Sequence, residues 1–335
     1  MRIRKFMAPI AAVGAAVLAL SGCAGGAGSD GGTDAAGGEG ESYRIGISQL
    51  VQHPALDAAA TGFKKAFEDE GINVEWVEQN ANGEQPTAVT IAQGFASDSS
   101  IDLVLAIATP AAQAAATAIP DRPVLFTAVT DPVAADLVDS AEAPGGNVTG
   151  TNDLNPVADQ IALIKEIVPE AKTVGIVYSS GEVNSEVQVK LAKEAADKNG
   201  LTIKEQSVTQ VGEVPTALEA LGQVDAIYVP TDNLIVSGID SVMQYSTSKQ
   251  IPVFSGDTGP VEESGAVATL GLDYEKLGYQ TGQMAIRILR DGEKPESMPV
   301  EQLTEFELVV NKKGAADVGL ELPQAVLDRA ATVVE

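Results

Sequence analysis

The sequence contains few of the residues that most often carry catalysis or metal binding. It has one histidine and one cysteine in 335 residues, and aromatic residues make up only 4% of the chain. A single histidine leaves one candidate base for a Ser-His-Asp arrangement, and a single cysteine excludes an internal disulfide. Neither a phosphate-binding glycine loop nor a Cys/His metal motif occurs in the sequence. We therefore expect no catalytic residue, no metal and no cofactor.

Basic residues are scarce as well. Only 21 Lys and Arg residues stand against 47 Asp and Glu residues, which gives a formal net charge of −26. A surface of this charge repels phosphate backbones and anionic lipid headgroups. We therefore expect no nucleic-acid partner and no attachment to a membrane through surface charge.

The first 22 residues have the layout of a secretion signal. Three of the residues 2–5 are basic, and an apolar run of 15 residues follows at 6–20. A bilayer-spanning helix needs about 20 residues, so this run is too short to be a transmembrane anchor. The run ends in Leu-Ser-Gly-Cys at 20–23, which resembles the lipobox of bacterial lipoprotein signals. This resemblance implies that Cys23 becomes the lipidated first residue of the mature protein.

The segment after Cys23 is too poor in apolar side chains to form a core. Residues 24–42 consist almost entirely of Gly, Ala, Ser and acidic residues, a composition typical of a flexible tether. We therefore divide the chain into a lipoprotein signal peptide at 1–22, a tether at 23–42 and a folded part from residue 43. A lipid anchor would hold the folded part on the outer face of the cytoplasmic membrane.

From residue 43 on, short β-rich runs alternate with stretches of helical spacing. The predicted strands cover 43–50, 74–79, 103–108, 124–129, 148–151, 173–178, 203–208, 226–229, 253–254 and 266–272. Between them, apolar residues recur at the spacing of one helix face, as at Leu56, Phe63 and Phe67. This alternation predicts an α/β fold with doubly wound, mainly parallel sheets.

The pattern also restarts in the middle of the chain. The segment 172–179 (KTVGIVYS) opens a second series that parallels the first, which starts at 43–48 (YRIGIS). Two similar lobes that face each other across a cleft fit this restart. In open α/β sheets, ligands bind beyond the carboxyl ends of the strands, so we expect the loops after the strands to carry the function.

Polar residues follow most of the predicted strands. The candidate ligand-binding residues at these positions are Gln49, His53, Thr109, Ala111, Thr130, Asp131, Asp153, Tyr178, Ser180, Asn184, Asp232, Asn233 and Asp257. Many of these residue types are also common as helix caps, so a purely structural role is open for any single one. Free N–H groups at helix starts favour a carboxylate, and a fixed aspartate favours an ammonium group. A cleft that offers both suits a zwitterion such as an amino acid.

Six sequence blocks in and around these loops occur in a recognisable order. They are 48–57 (SQLVQHPALD), 106–113 (AIATPAAQ), 130–133 (TDPV), 144–150 (PGGNVTG), 178–185 (YSSGEVNS) and 229–233 (VPTDN). Together they resemble the ABC transporter substrate-binding protein family whose characterised members bind tryptophan and related aromatic amino acids. The resemblance runs from about residue 43 to about residue 320. It implies a permease and an ATPase as partners, and we expect the protein itself to be a monomer.

The resemblance also implies the type I periplasmic-binding-protein fold, in which crossing strands join two lobes. The expected first lobe comprises 43–150 and about 275–301, and the expected second lobe comprises 151–274 and about 302–335. We expect hinge segments near 146–153 and 273–278, with a third crossing near residue 302.

The expected function is that of an extracytoplasmic solute-binding lipoprotein, which captures an aromatic or branched amino acid by hinge closure. Because the block VPTDN places Asp232 after a strand of the second lobe, we expect it to hold the ligand's ammonium group, with Asp153 as the alternative. Thr109, Ser180 and Asn184 are expected to contact the ligand from opposite lobes. A sugar or signalling ligand on the same fold is the alternative function, and an extracellular hydrolase is a weaker one.

Overall fold

The computed structural model of the protein describes residues 42–335. The predicted signal peptide, the lipidation site Cys23 and the tether up to residue 41 lie outside the described residues. Within 42–335, no helix combines the length and the apolar character needed to cross a bilayer.

The described residues contain both strands and helices in regular alternation. The strands are β1 (Ser42–Gln49), β2 (Asn73–Asn80), β3 (Leu103–Ile107), β4 (Val124–Val129), β5 (Val148–Asn152), β6 (Thr173–Ser179), β7 (Thr202–Val208), β8 (Ala226–Val229), β9 (Val253–Ser255), β10 (Ala268–Gly271), β11 (Glu301–Gln302), β12 (Glu307–Asn311) and β13 (Thr332–Val334). The helices are α1 (Pro54–Asp69), α2 (Gln85–Ser97), α3 (Thr109–Ala118), α4 (Val157–Ile167), α5 (Val183–Lys198), α6 (Val214–Ala220), α7 (Asn233–Ser237), α8 (Ile239–Lys249), α9 (Tyr274–Leu289), α10 (Lys312–Asp317) and α11 (Gln324–Leu327).

The strands form two sheets, one in each lobe. The first sheet has the order β11-β5-β4-β3-β1-β2, and the second has the order β13-β12-β10-β9-β8-β6-β7. All strand pairs are parallel except β10 with β12. The inner strands β3 and β4 are buried throughout, whereas buried or half-buried and exposed residues alternate in the edge strands β2 and β7. The predicted α/β fold with two similar, mainly parallel lobes is confirmed.

The strand order repeats between the lobes. The order β2-β1-β3-β4-β5 in the first sheet corresponds to β7-β6-β8-β9-β10 in the second. In each sheet the order reverses beside the first strand of its series, and such reversal points open a crevice at the carboxyl ends of the strands. The loops that follow β1, β4, β8 and β9 therefore lie where a ligand site is expected.

Three short connections join the two sheets. They are residues 153–156 between β5 and α4, residues 272–273 between β10 and α9, and residues 303–306 between β11 and β12. The first two are shorter than the hinge segments that the sequence predicts. Val148–Asn152 pairs with β4 as strand β5, and α9 already begins at Tyr274, where Asp273 caps it by accepting the N–H of Lys276 at 3.0 Å.

Helices α1 and α9 cross at very short range in the first lobe. A Cβ atom on Gly62 would lie 1.9 Å from the backbone oxygen of Glu275, and one on Gly278 would lie 1.9 Å from that of Ala59. Only glycine fits at these two positions. The crossing fixes the two helices against each other, and the first turns of both line the cleft between the lobes.

Candidate functional site

A small cavity lies between the two lobes at the carboxyl ends of their strands. It is lined by His53, Ala55, Leu56, Ala128, Thr130, Asp153, Asn184, Thr231, Asp232, Asn233, Val236, Asp257 and Tyr274. Its volume is about 20 Å³, close to the space that one water molecule needs. A solute of the size of an amino acid can therefore enter only if the lobes move apart.

Direct contacts between the lobes hold the cleft in this closed arrangement. The ring Nε2 of His53, in the first lobe, lies 3.3 Å from Oδ1 of Asn233 in the second. At the mouth of the cleft, Nε2 of Gln85 donates a hydrogen bond of 2.7 Å to the backbone oxygen of Gly181. Both contacts join loops or helix starts that the fold places at the facing edges of the two sheets.

The backbone is strained next to the cavity on the side of the first lobe. Ala128 has a φ of 55°, in the left-handed region that residues with a Cβ rarely adopt. It lies where the register between β4 and β5 shifts, and both Ala128 and Thr130 line the cavity. Ala108, which directly precedes α3, has a φ of 82°. Strained residues of this kind are typical of functional sites.

Asp153 lies on the first connection between the lobes and faces the cavity. Its side chain is buried, with Oδ1 accepting a hydrogen bond of 3.3 Å from the hydroxyl of Thr130 and Oδ2 accepting one of 2.8 Å from the hydroxyl of Tyr274. Burial raises the pKa of Asp153 to about 6, although the two hydroxyl donors counteract this shift. The closed cleft therefore disfavours the ionised form of Asp153.

Asp257 follows β9 and faces the same cavity from the second lobe. Only its Oδ1 makes a hydrogen bond within the described chain, accepting the N–H of Gly259 at 3.1 Å. Burial raises the pKa of Asp257 to about 7, and the charges of Asp153 and Glu262 add to the shift. The second carboxylate oxygen is left for a ligand.

Asp232 follows β8 and caps helix α7. Its Oδ1 accepts the N–H of Ile235 at 2.9 Å, and its Oδ2 accepts the N–H of Ser179 at 2.6 Å. Burial raises the pKa of Asp232 above its usual range, and the neighbouring Glu182 carboxylate raises it further. Both oxygens of Asp232 thus already hold backbone N–H groups in place.

Glu182 completes the acidic surroundings of α7. Its side chain is buried and accepts hydrogen bonds from the backbone N–H groups of Asn233 and Leu234 and from the side-chain amides of Asn233 and Asn184. Together with Asp232 it occupies the free N–H groups at the start of this helix. Within the described part of the chain, no lysine or arginine lines the cavity.

Two buried polar atoms of the cavity residues have no hydrogen-bond partner within the described chain: Nδ1 of His53 and Oδ1 of Asn184. Burial lowers the pKa of His53, so its ring is neutral near pH 7. Since Nε2 of His53 faces the amide oxygen of Asn233, it carries the proton and Nδ1 is an acceptor. The Asn184 amide nitrogen already donates to Glu182 and Thr231, which leaves its oxygen as an acceptor. The unpaired atoms of the cavity therefore all accept hydrogen bonds.

The structure brings seven of the candidate residues together around the cavity, namely His53, Thr130, Asp153, Asn184, Asp232, Asn233 and Asp257. The side chains of two others have local partners outside it. Gln49 donates to Asp57 at 2.6 Å, and Asp131 accepts the N–H groups of Val133 and Ala134 within its own turn.

The remaining four candidates also lie outside the cavity lining. Ser180 is exposed, and its hydroxyl lies 3.4 Å from the backbone oxygen of Val208. Tyr178 is half-buried and packs against the core of the second lobe. Thr109 and Ala111 are buried in the first turn of α3, which has no side-chain cap, and the Thr109 hydroxyl has no partner within the described chain.

Three polar residues of the site are absent from the set of candidates taken from the sequence: Glu182, Thr231 and Tyr274. Glu182 and Thr231 stand in loops that the sequence singles out, close to the candidates Asn184 and Asp232. Tyr274 stands in a predicted hinge segment, and an aromatic residue at that position is a signal that could have been used.

Comparison with known proteins identifies the family. The sequence profile of the family described as ABC transporter substrate binding protein matches residues 44–334. The chain belongs to this family. It is therefore a substrate-binding protein of an ABC transporter, as the resemblance in the loops predicts, and its relatives include proteins that bind aromatic amino acids.

This substrate-binding protein is 45% identical to the "Tyrosine-binding protein" of Clostridioides difficile over 273 residues, which cover 80% of this chain and 78% of that protein. It is also similar to the structure of an ABC domain from Streptococcus pneumoniae in complex with L-Trp. The sequence identity is 38%, the TM-score is 0.83, and the match covers 88% of this chain and 100% of that one.

A second solved relative is the ligand-free, open structure of a substrate-binding protein with adhesive properties from Clostridium difficile. The identity is higher, at 45%, and the match covers 87% of this chain and 99% of that one, but the TM-score is only 0.65. The backbone of this substrate-binding protein thus matches the L-Trp complex better than the open structure, although the open structure is closer in sequence. The better match to the ligand-bound structure agrees with the closed cleft.

Proposed function

We propose that this substrate-binding protein captures an aromatic amino acid, and that the ligand's α-ammonium group binds at the acidic cavity between the lobes. The observation that carries the proposal is the chemistry of the cavity, which presents unpaired acceptors and buried carboxylates and, among the described residues, no lysine or arginine. An ammonium group has three donors and no acceptor, and it supplies the positive charge that the lining lacks. The tyrosine- and L-Trp-binding relatives support an aromatic side chain on the ligand.

We assign the main contact with the ammonium group to Asp257 rather than to Asp232. Asp232 uses both oxygens to hold backbone N–H groups, whereas Asp257 has one oxygen without a hydrogen bond in the described chain. His53 and Asn184 provide two further acceptors beside it. The ligand's carboxylate is proposed to lie toward the uncapped first turn of α3, where the Thr109 hydroxyl has no partner within residues 42–335.

Closure over the ligand follows from the same electrostatics. In the closed cleft Asp153, Asp232 and Asp257 are each at most 3% exposed, and a buried ionised carboxylate without a cation is strongly disfavoured. The ligand's ammonium group offsets this penalty only when the lobes are closed. The ligand therefore shifts the population toward the closed form, in which it contacts both lobes.

The remaining parts of the proposal concern the location and the partners of the protein. We propose that Cys23 is lipidated and that residues 23–42 tether a monomeric binding protein to the outer face of the cytoplasmic membrane. The family implies an ABC permease as the partner that receives the ligand. The protein is proposed to return the ligand unchanged, without catalysis, as expected for a member of a family of substrate-binding proteins.

The test combines two measurements on purified protein. Native mass spectrometry of protein that has not been refolded gives the mass of any co-purified solute. Calorimetry then compares tyrosine, tryptophan, phenylalanine, leucine and glucose. We expect heat of binding from the aromatic amino acids; heat from glucose alone would contradict the proposal and favour a sugar ligand.

A further inference from the structure

Two of the three connections between the lobes are joined by a hydrogen bond at the cavity. Asp153 lies on the first connection, and Tyr274 is the first residue of α9, directly after the second. The hydroxyl of Tyr274 donates to Oδ2 of Asp153 at 2.8 Å, across 121 positions of the sequence. Both side chains are buried, at 3% and 5% exposure, and both line the cavity.

A second tie supports the first. The side-chain oxygen of Asn155, on the first connection, accepts the backbone N–H of Leu272, on the second, at 3.2 Å. The amide nitrogen of Asn155 donates to the backbone oxygen of Asp153 at 3.1 Å. These two hydrogen bonds therefore hold the backbone next to Asp153 and next to Tyr274 in place.

Tyr274 is in turn fixed by the first lobe. It begins the helix that crosses α1 at Gly62 and Gly278, where the two backbones are too close for any larger residue. Its hydroxyl can act only as a donor toward an ionised carboxylate. The other donor to Asp153, the Thr130 hydroxyl, is more distant, at 3.3 Å.

We propose that Tyr274 is a positioning residue, which holds the Asp153 carboxylate toward the ligand cavity and so links the ligand site to both connecting segments. The inference rests on the proposed amino-acid binding at this cavity. Through this link, the interaction of the ligand's charge with Asp153 acts directly on the segments about which the lobes move.

The Tyr274 hydroxyl stabilises Asp153 most while Asp153 is ionised, because a hydrogen bond to a charged acceptor is stronger than one to a neutral acceptor. Burial raises the pKa of Asp153 to about 6, and the hydrogen bond from Tyr274 is the strongest effect that lowers it. The other titratable groups that line the same cavity are His53 at the start of α1, Asp232 at the start of α7 and Asp257 after β9. Removing the hydroxyl leaves these groups in place and raises the pKa of Asp153 further.

The test compares Tyr274→Phe with Tyr279→Phe by calorimetry with L-tyrosine at pH 8 and pH 5. Tyr279 lies on the same helix outside the cavity lining, which makes it a matched control. Because Tyr274→Phe disfavours the ionised Asp153 that the ligand's charge needs, we expect weaker binding at pH 8, with the full value of a hydrogen bond to a charged group, up to about 150-fold, as the upper limit. At pH 5, where Asp153 is mostly protonated, we expect Tyr274→Phe to bind L-tyrosine about as tightly as the wild type does at the same pH. An equal loss at both pH values would show a merely structural role and overturn the inference.

A second measurement is independent of the ligand. NMR titration of the Asp153 carboxyl carbon in ligand-free protein, assigned with the Asp153→Asn variant, should give a higher pKa in Tyr274→Phe than in the wild type and in Tyr279→Phe. An unchanged pKa would overturn the inference even if the protein binds amino acids. If the wild type binds no amino acid, the proposed function fails, and the titration alone decides whether Tyr274 positions Asp153.

Discussion

Replacing Asp257 with asparagine should weaken ligand binding and at the same time favour closure of the ligand-free protein. Asp257 is 2% exposed in the closed cleft, and burial raises its pKa to about 7 from an ordinary value of 3.8. Asparagine has nearly the same shape and carries no charge. Its side-chain oxygen can still accept the N–H of Gly259, so the turn after β9 is retained.

The size of the effect follows from the pKa. A pKa raised from 3.8 to about 7 corresponds to an energetic penalty of about 4 kcal/mol for keeping the ionised Asp257 side chain in the closed cleft without a cation. Asp257→Asn removes this penalty, so the ligand-free variant should populate the closed form far more than the wild type at pH 8. The ligand's ammonium group meanwhile loses a charged partner, which predicts binding about 10-fold to 150-fold weaker.

Two assays at pH 8 measure the two effects separately. Calorimetry with L-tyrosine gives the affinity, and small-angle X-ray scattering of ligand-free protein gives the radius of gyration, which decreases on closure. Asp131→Asn is the matched control, because Asp131 also follows a strand but accepts N–H groups within its own turn. It should change neither quantity. If Asp257→Asn binds tyrosine like the wild type and keeps the wild-type radius, Asp257 is only a turn residue.

Three further predictions concern the effect of pH, the crossing of α1 and α9, and the lipid anchor. Lowering the pH from 8 to 5 should decrease the radius of gyration of the ligand-free wild type in scattering. The reason is that closure raises the pKa of Asp153 and Asp257, so the closed form binds protons at a pH where the open form has released them. A radius of gyration that does not change with pH would contradict this. Gly62→Ala places a Cβ atom 1.9 Å from a backbone oxygen of α9 and should lower the free energy of unfolding by about 1–3 kcal/mol or more in denaturant titrations. Gly94→Ala is the control and should not lower it, because Gly94 has open space around it. Cys23→Ser should stop lipidation and remove the protein from the membrane fraction; a variant that is processed normally and resists a carbonate wash would exclude the lipid anchor.

The sequence predicts most strands because their apolar runs are buried inside parallel sheets. The pattern does not predict β11, β12 or β13. Strand β11 consists of only two polar residues, Glu301 and Gln302, and pairs at the edge of the first sheet. Its place depends on β5, more than 140 positions earlier, and no local pattern records that partner.

The site is predictable to the level of the loop and no further. Parallel strands place the loops at one edge, which is why His53, Asn184 and Asp257 meet at one cavity. The direction of a side chain within its loop depends on the partners it finds there. Asp131 turns back to its own backbone N–H groups, whereas Asp153 faces the cavity because hydroxyls from two distant segments reach it.

Recognition of the ammonium group of an aromatic amino acid by the cavity can be tested in one calorimetric comparison. L-tyrosine is titrated at pH 8 beside its des-amino analogue, 3-(4-hydroxyphenyl)propionate, which keeps the ring and the carboxylate and lacks the amine. We expect tyrosine to bind and the analogue to bind at least about 10-fold more weakly, because a hydrogen-bonded charge is lost and buried acceptors are left unpaired. Equal affinity for the two compounds would show that the cavity does not recognise the ammonium group.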